Sequence, residues 1–205
     1  IADSPLKSIK RLPYGEAHHV RRRRAMSDAE LDAFLAASRE DDRRNEVVVA
    51  RRSPRHDLPQ RFRLVDGAYR VRVRQTPLWE FLALTGARYG EARQLAWGDV
   101  DLARGVALLR PENTKSQRAR TLPITAEFAA ELVELRAVHA RALGRAVNEG
   151  DPVFLSAEAR PLRRDTVNAR RLFERLLRAA GIERIDSMGR SLDVHALRGT
   201  CATRL

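Results

Sequence analysis

Apolar positions along this chain recur at helical spacing in some stretches and alternate at strand spacing in others. Ser27-Asp28-Ala29-Glu30 has the form of a capping box, and Leu31, Phe34 and Leu35 follow at helical intervals, which predicts a helix over residues 28–38. Residues 60–75 alternate around Asp66-Gly67, the dipeptide that a tight two-residue hairpin turn prefers. From Pro77 to Leu95 the pattern is helical on both sides of Thr85-Gly86, where the glycine predicts a turn or kink. Short strand-like runs at residues 105–110 and 120–123 flank the polar stretch 112–119, so a second hairpin is expected there. Thr125 should cap a helix reaching Leu143, with Phe128, Leu132, Leu135 and Val138 on its buried face. Asp165 is expected to cap another, closed by Gly181, with Val167, Leu172, Leu176 and Leu177 as its apolar positions. A last helix is expected from about Val194. The expected fold class is mainly α with a small antiparallel β-sheet (α+β), without an internal repeat.

Composition changes the picture in one respect, charge. The chain has 205 residues, 43% of them hydrophobic, enough for a real core. Its 39 basic against 27 acidic residues give a net charge of +12, and lysine occurs only at Lys7, Lys10 and Lys115, the rest of the basic residues being arginine. Such a surplus suits a polyphosphate partner, because basic side chains displace its condensed counterions; the plainer explanation is a GC-rich genome that writes arginine in place of lysine. Residues 1–25, with His18-His19 and the run Arg21 to Arg24, show little apolar periodicity and are expected to be an exposed basic lead-in or linker, with residues 26–205 forming the domain proper. The single cysteine, Cys201, allows no intramolecular disulfide, and no His/Cys spacing suggests zinc. No apolar run is long enough to span a bilayer, and neither a membrane nor a secretory leader is expected, so a cytoplasmic location is.

The candidate chemistry lies in two arginine-centred motifs, TGARYGEARQL at residues 85–95 and HALRGT at residues 195–200, with Thr114-Lys115-Ser116-Gln117 between them as a polar hairpin tip. Taken alone, Arg88 three residues before Glu91 is a solvated helix pair contributing about 0.2–0.5 kcal/mol. A break at Thr85-Gly86, however, places Arg88 on the first turn after an interruption, where free amides favour an anion. A lone histidine at a helix start is usually structural, but Arg198 follows His195 at the spacing that turns both the same way. Two guanidinium groups, an imidazole and an ammonium together suit a pocket that grips a phosphodiester and stabilises its displacement. Asp99 reads as a turn or cap residue, and the lack of converging carboxylates argues against a two-metal nuclease.

At these residues the sequence resembles the tyrosine recombinases, or phage integrases, over about residues 26–205. TGARYGEARQLAWGDVDL is similar to that family's first arginine motif, and HALRGTCATRL is similar to its HxxR box, in the family's order and with a lysine-bearing hairpin between. The resemblance implies catalytic roles for Arg88, Lys115, His195 and Arg198, with Glu91 supporting the site. The arginines would bind the non-bridging oxygens in place of a metal, and Lys115 would protonate the departing 5′ oxygen. His195 would take the proton of the attacking hydroxyl or hold the phosphate. No metal or cofactor is implied. The implied activity is site-specific recombination or integration of double-stranded DNA through a 3′-phosphotyrosine, by a homo-tetramer assembled on DNA and associated with the nucleoid.

The chain also departs from the pattern. The family's tyrosine nucleophile follows the HxxR helix, and none of Tyr14, Tyr69 and Tyr89 suits that role; Tyr89 adjoins Arg88, but successive helix positions point about 100° apart. Gly199 stands where the family often has a basic or aromatic residue. Ile1 at the start and Leu205 so soon after Arg198 lead us to expect a fragment, truncated before its nucleophile, that binds DNA without cutting it. Rival readings are a non-catalytic DNA-binding remnant, a basic RNA-binding protein and, within the enzymes, a type IB topoisomerase.

Overall fold

The computed structural model describes residues 22–45, 47–49, 69–114, 117–164 and 166–204. Helix α1 (Asp28–Asn45) is followed by strands β1 (Val47–Val49) and β2 (Tyr69–Val71), which pair antiparallel with Val48 opposite Arg70. Helix α2 (Thr76–Thr85), the single turn α3 (Tyr89–Ala92) and a 3-10 turn (Trp97–Asp99) lead into β3 (Val100–Asp101), β4 (Val106–Leu109) and β5 (Arg120–Pro123). These last three form an antiparallel sheet in that order, and α4 (Ala126–Leu143), α5 (Val167–Ala179) and α6 (Ala196–Arg204) complete the chain. Among the described residues no helix is long and apolar enough to cross a membrane.

Helix α2 is central because its sequence is apolar apart from Thr76, Glu80 and Thr85, and Thr76 through Ala83 are all buried. On one flank the Trp79 ring meets Phe34 of α1 at 6.0 Å and Phe173 of α5 at 5.9 Å between centroids. On the other, Phe81 meets Phe128 of α4 at 6.2 Å and Phe154 at 5.2 Å. Wrapped on both flanks, α2 delivers its carboxyl end, Thr85-Gly86, to a fixed place in the fold.

The capping box at Ser27 and Glu30 forms as expected, with Ser27 Oγ accepting from the Glu30 N–H at 3.2 Å and the Glu30 carboxylate accepting from the Ser27 N–H at 2.9 Å. Helix α4 begins where Thr125 Oγ1 accepts from the Phe128 N–H at 3.2 Å, and its four expected apolar residues are buried.

Other expectations are corrected. Helix α1 continues past Ser38 to Asn45 through a charged stretch that pairs with itself, Glu40 with Arg43 and Arg44. Strand β2 pairs with residues 47–49, which the pattern had not marked, while Asp66-Gly67 and its preceding strand lie outside the described residues. Strand β3, with two residues, is too short to show an alternation and was not expected. Asp165 also lies outside the described residues; Thr166 precedes α5, without a side-chain capping bond. Val167 is exposed and Leu172 only half-buried, whereas Ala169 and Phe173, unmarked by the pattern, are buried with Leu176 and Leu177. Of the expected exposed lead-in, Arg22 and Arg23 are exposed, but Arg24 is tucked against Glu30 in a two-pronged ion pair at 2.6 and 2.7 Å.

Candidate functional site

The site is built on the interruption between α2 and α3. Gly86 adopts a left-handed conformation, φ 62°, that a side chain would strain, and its N–H closes α2 on the Leu82 carbonyl at 3.1 Å. Thr85 Oγ1 donates to Phe81 O at 2.6 Å and accepts from the Ala87 N–H at 3.2 Å, so the threonine carries the chain round the break. Arg88 then sits in extended backbone as the residue that opens α3, one position before the first helical turn where the sequence had placed it. Glu91, at the third position of α3, reaches back to accept the Arg88 N–H at 2.8 Å.

That glutamate is not a surface residue. Its side chain is 3% exposed, and a carboxylate so enclosed must be paired. Glu91 Oε1 accepts from Arg88 Nη1 at 2.9 Å and Oε2 accepts from Arg120 Nη2 at 2.8 Å, so one carboxylate holds two guanidiniums. Arg120, at the start of β5, was missed by the sequence reading. The available signal was strand parity: Arg120 and Leu122 share a face, and Leu122 is buried.

Helix α6 brings in the second motif. Arg198 Nη1 donates to Gly86 O at 2.8 Å, and Cys201 Sγ contacts Leu84 O at 3.3 Å. The approach is close at Gly86, where an added Cβ would stand 3.3 Å from Cys201 Sγ and 3.8 Å from Arg198 Cγ. The guanidinium of Arg198 therefore lies against the loop that carries Arg88. His195 is exposed just ahead of α6, with its backbone N–H donated to Asp193 Oδ1 at 2.9 Å. Lys115 lies outside the described residues. Its loop is closed at the base by Thr114 Oγ1, which accepts from the Arg118 N–H at 3.1 Å and donates to Arg118 O at 3.0 Å. It leaves the sheet at the end where Leu109 faces Arg120.

Two other residues take the places expected of them. Asp99 is buried, accepting the Ala96 N–H at 3.1 Å and Arg110 Nε at 2.5 Å, and thereby closes the 3-10 turn. Tyr89 is 6% exposed and belongs to the hydrophobic core. Arg88 and Arg120 share the one buried Glu91 carboxylate and Arg198 rests on the Gly86 carbonyl, which leaves a surplus of positive charge at this loop, the condition for binding an anion.

Replacing Glu91 with glutamine turns an acceptor toward one guanidinium into an N–H facing another N–H. Because Arg88 and Arg120 are 40% and 36% exposed, water takes up part of the loss. We expect about 1–2 kcal/mol of destabilisation, read as a lower urea midpoint at unchanged m-value.

The mostly helical architecture, with its three-stranded antiparallel sheet and arginine-bearing break, is that of a known fold. The XerA recombinase structure superposes with a TM-score of 0.57 at 22% identity, over 89% of this chain and 50% of that one. The XerH recombinase bound to its difH substrate in a post-cleavage complex gives 0.56 at 21% identity, over 88% and 41%. A lambda integrase (75–356) dimer bound to a COC′ core site gives 0.52 at 18% identity, over 90% and 52%. In sequence, a putative integrase/recombinase, y4rF, of Sinorhizobium fredii (strain NBRC 101917 / NGR234) is 30% identical over 138 residues, 66% of this chain and 29% of that protein. Residues 62–205 match the phage integrase family, and the chain belongs to it. It spans about a third of the length of its curated relative and about half or less of these structures.

Proposed function

We propose that this chain is the catalytic domain of a tyrosine-type site-specific recombinase and that Arg88 and Arg198 bind the two non-bridging oxygens of one DNA phosphate. The observation that carries this reading is the bond from Arg198 Nη1 to Gly86 O, which seats one motif's guanidinium on the loop that bears the other's. In the proposed reaction a tyrosine hydroxyl attacks phosphorus, a 3′-phosphotyrosine forms and the 5′ oxygen leaves. In this reading the two guanidiniums stabilise the charge that builds on the phosphoryl oxygens, each contributing about 3 kcal/mol as in such sites generally. Glu91 acts as a positioning residue by holding the Arg88 and Arg120 forks. His195 accepts the proton of the attacking hydroxyl or bonds the phosphate, and Lys115 protonates the leaving oxygen. Buried Tyr89 is not the attacker, nor are Tyr14 and Tyr69 in this reading. The 205 residues accordingly bind duplex DNA without cutting it.

The family, the net charge of +12 and the solved lambda integrase and XerH complexes with DNA support duplex DNA as the partner. A lambda integrase tetramer bound to a Holliday junction supports a tetramer on DNA for the full-length protein, and DNA as the partner would place it with the nucleoid. The test is binding of duplex DNA by fluorescence anisotropy between about 50 and 200 mM salt, where phosphate contacts weaken steeply. The double variant Arg88→Ala/Arg198→Ala should lower affinity and reduce the slope of log K against log salt by about one, because both arginines neutralise the same phosphate. An unchanged slope would remove the phosphate pocket, and a covalent protein–DNA adduct formed by the 205-residue chain would contradict the assignment of its tyrosines.

A further inference from the structure

Residues 22–26 run beside the loop before α6 and then across that helix. Arg23 makes a parallel bridge to Ser191, with the Arg24 N–H donated to Ser191 O at 3.2 Å and the Ser191 N–H to Arg22 O at 2.8 Å. Arg23 Nε donates to Asp193 Oδ2 at 2.7 Å, while the other oxygen of the same carboxylate accepts the His195 backbone N–H. Further along, the buried Met26 N–H donates to Thr200 Oγ1 at 2.9 Å, and that hydroxyl donates to Ala196 O at 3.0 Å within α6. Thr200 is wholly buried. Between these two attachments Gly199 faces Ala25, close enough that a Cβ built on the glycine would reach van der Waals contact with Ala25 Cβ at 3.9 Å.

Both ends of the segment are anchored. The Arg24 guanidinium grips Glu30, whose carboxylate also closes the cap of α1, and it donates to Glu183 O at 3.2 Å. Arg204 at the far end of α6 pairs with Asp28 at 2.9 Å. The segment therefore touches α6 and its approach at positions 193, 199 and 200, on either side of His195 and Arg198.

We propose that residues 22–26 are a strap that positions the phosphate pocket: seated on Asp193 and Thr200, they set where His195 and Arg198 stand relative to Arg88. Asp193 and Thr200 are positioning residues, acting through their neighbours on α6. It follows that a pull on the chain before Arg22, such as docking of a preceding segment on DNA, is transmitted to the pocket through three hydrogen bonds and an ion pair. This rests on the reading that Arg88 and Arg198 grip a phosphate.

The test is a set of double-mutant cycles on duplex DNA affinity, measured by anisotropy, with thermal melts of every variant. Thr200→Val changes no charge and touches no solvent, so a passive residue there would leave binding alone. We expect Thr200→Val and Arg23→Ala each to weaken binding roughly fivefold, and each effect to shrink below about twofold in an Arg198→Ala background. Arg23→Lys, which keeps the cation beside Asp193, should restore most of the affinity. If Arg23→Ala costs the same with or without Arg198, Arg23 is itself a phosphate contact and the strap proposal fails. It fails equally if neither variant changes affinity. Should the melt show Thr200→Val unfolded, the exposed Arg23 decides alone. An Arg198→Ala variant that binds as well as the parent would instead remove the underlying pocket, and the strap with it.

Discussion

Trp79→Ala is expected to destabilise the protein by about 3–5 kcal/mol and to lower Tm by roughly 10 °C. The indole is completely buried at the meeting of three helices, in contact with Phe34 of α1 and Phe173 of α5. Removing it forfeits the transfer of a large apolar surface and leaves a cavity that the two phenyl rings, held by their own helices, fill only in part. Stabilities of single domains are about 5–15 kcal/mol, so this one change threatens folding outright. Because α2 ends in Thr85-Gly86, the loosened helix also releases the loop that carries Arg88. DNA affinity should therefore fall in this variant even at temperatures where it remains folded. A variant unfolding within about 1 kcal/mol of the parent in urea would mean that Trp79 is not the hub of the core.

The second large effect is expected in acid and centres on His139. The ring is fully buried on α4, edge-on to Trp97 at 5.8 Å between centroids, and neither ring nitrogen has a hydrogen-bond partner among the described residues. Burial pushes its pKa down to about 4 from an ordinary 6.5, with the nearby Asp151 charge working weakly the other way. The unfolded chain thus binds a proton that the folded chain refuses. The stability contributed is fully present above pH 6.5 and is lost as pH falls from there through 4. The size is of order 3 kcal/mol, from about 1.4 kcal/mol per pKa unit. Asp151 does not share this window, because its bond to Arg145 holds it down near 2. Glu131 works in the opposite sense: burial and its hydrogen bond to Glu80 push it up to about 8, so its contribution is present in acid and lost toward pH 8. Comparing the parent with His139→Leu cancels that term. The difference in unfolding free energy between the two should change by about 3 kcal/mol from pH 7 to pH 4. Parallel pH profiles would show that His139 does not titrate with folding.

Sequence periodicity served best where an element is closed by its own neighbours. Helix α4 has a local cap, Thr125, and a face of Phe128, Leu132, Leu135 and Val138, and it was legible from end to end. Helix α5 was found, but its face was drawn through Val167. The buried positions Ala169, Phe173, Leu176 and Leu177 define a different stripe, and Val167 lies about 200° round the helix from Ala169. The polar half of α1 gave no periodic signal at all. It is helical partly because Asp42 is needed there: its carboxylate accepts the backbone N–H groups of Gln75 and Thr76 at 2.8 Å each, and so caps α2, whose own Gln75 provides no side-chain cap. No scan of neighbouring residues can find a cap supplied by another helix.

The candidate site divides in the same way. The order of residues already determined which side chains could act and how Arg88 meets Glu91, since a separation of three on a helical turn brings the carboxylate back to the opening residue whatever lies beyond. It likewise determined the break at Gly86, which needs a residue without a Cβ. Packing alone decided that Arg120, 29 positions away, shares the Glu91 carboxylate, and that Arg198, 112 positions away, rests on the Gly86 carbonyl. The reason is the range of the forces. Backbone dihedrals act over one turn, whereas those two bonds depend on long-range packing: burying the largely apolar α2 carried α6 to its end, and pairing with β4 set Arg120 of β5 beside Glu91.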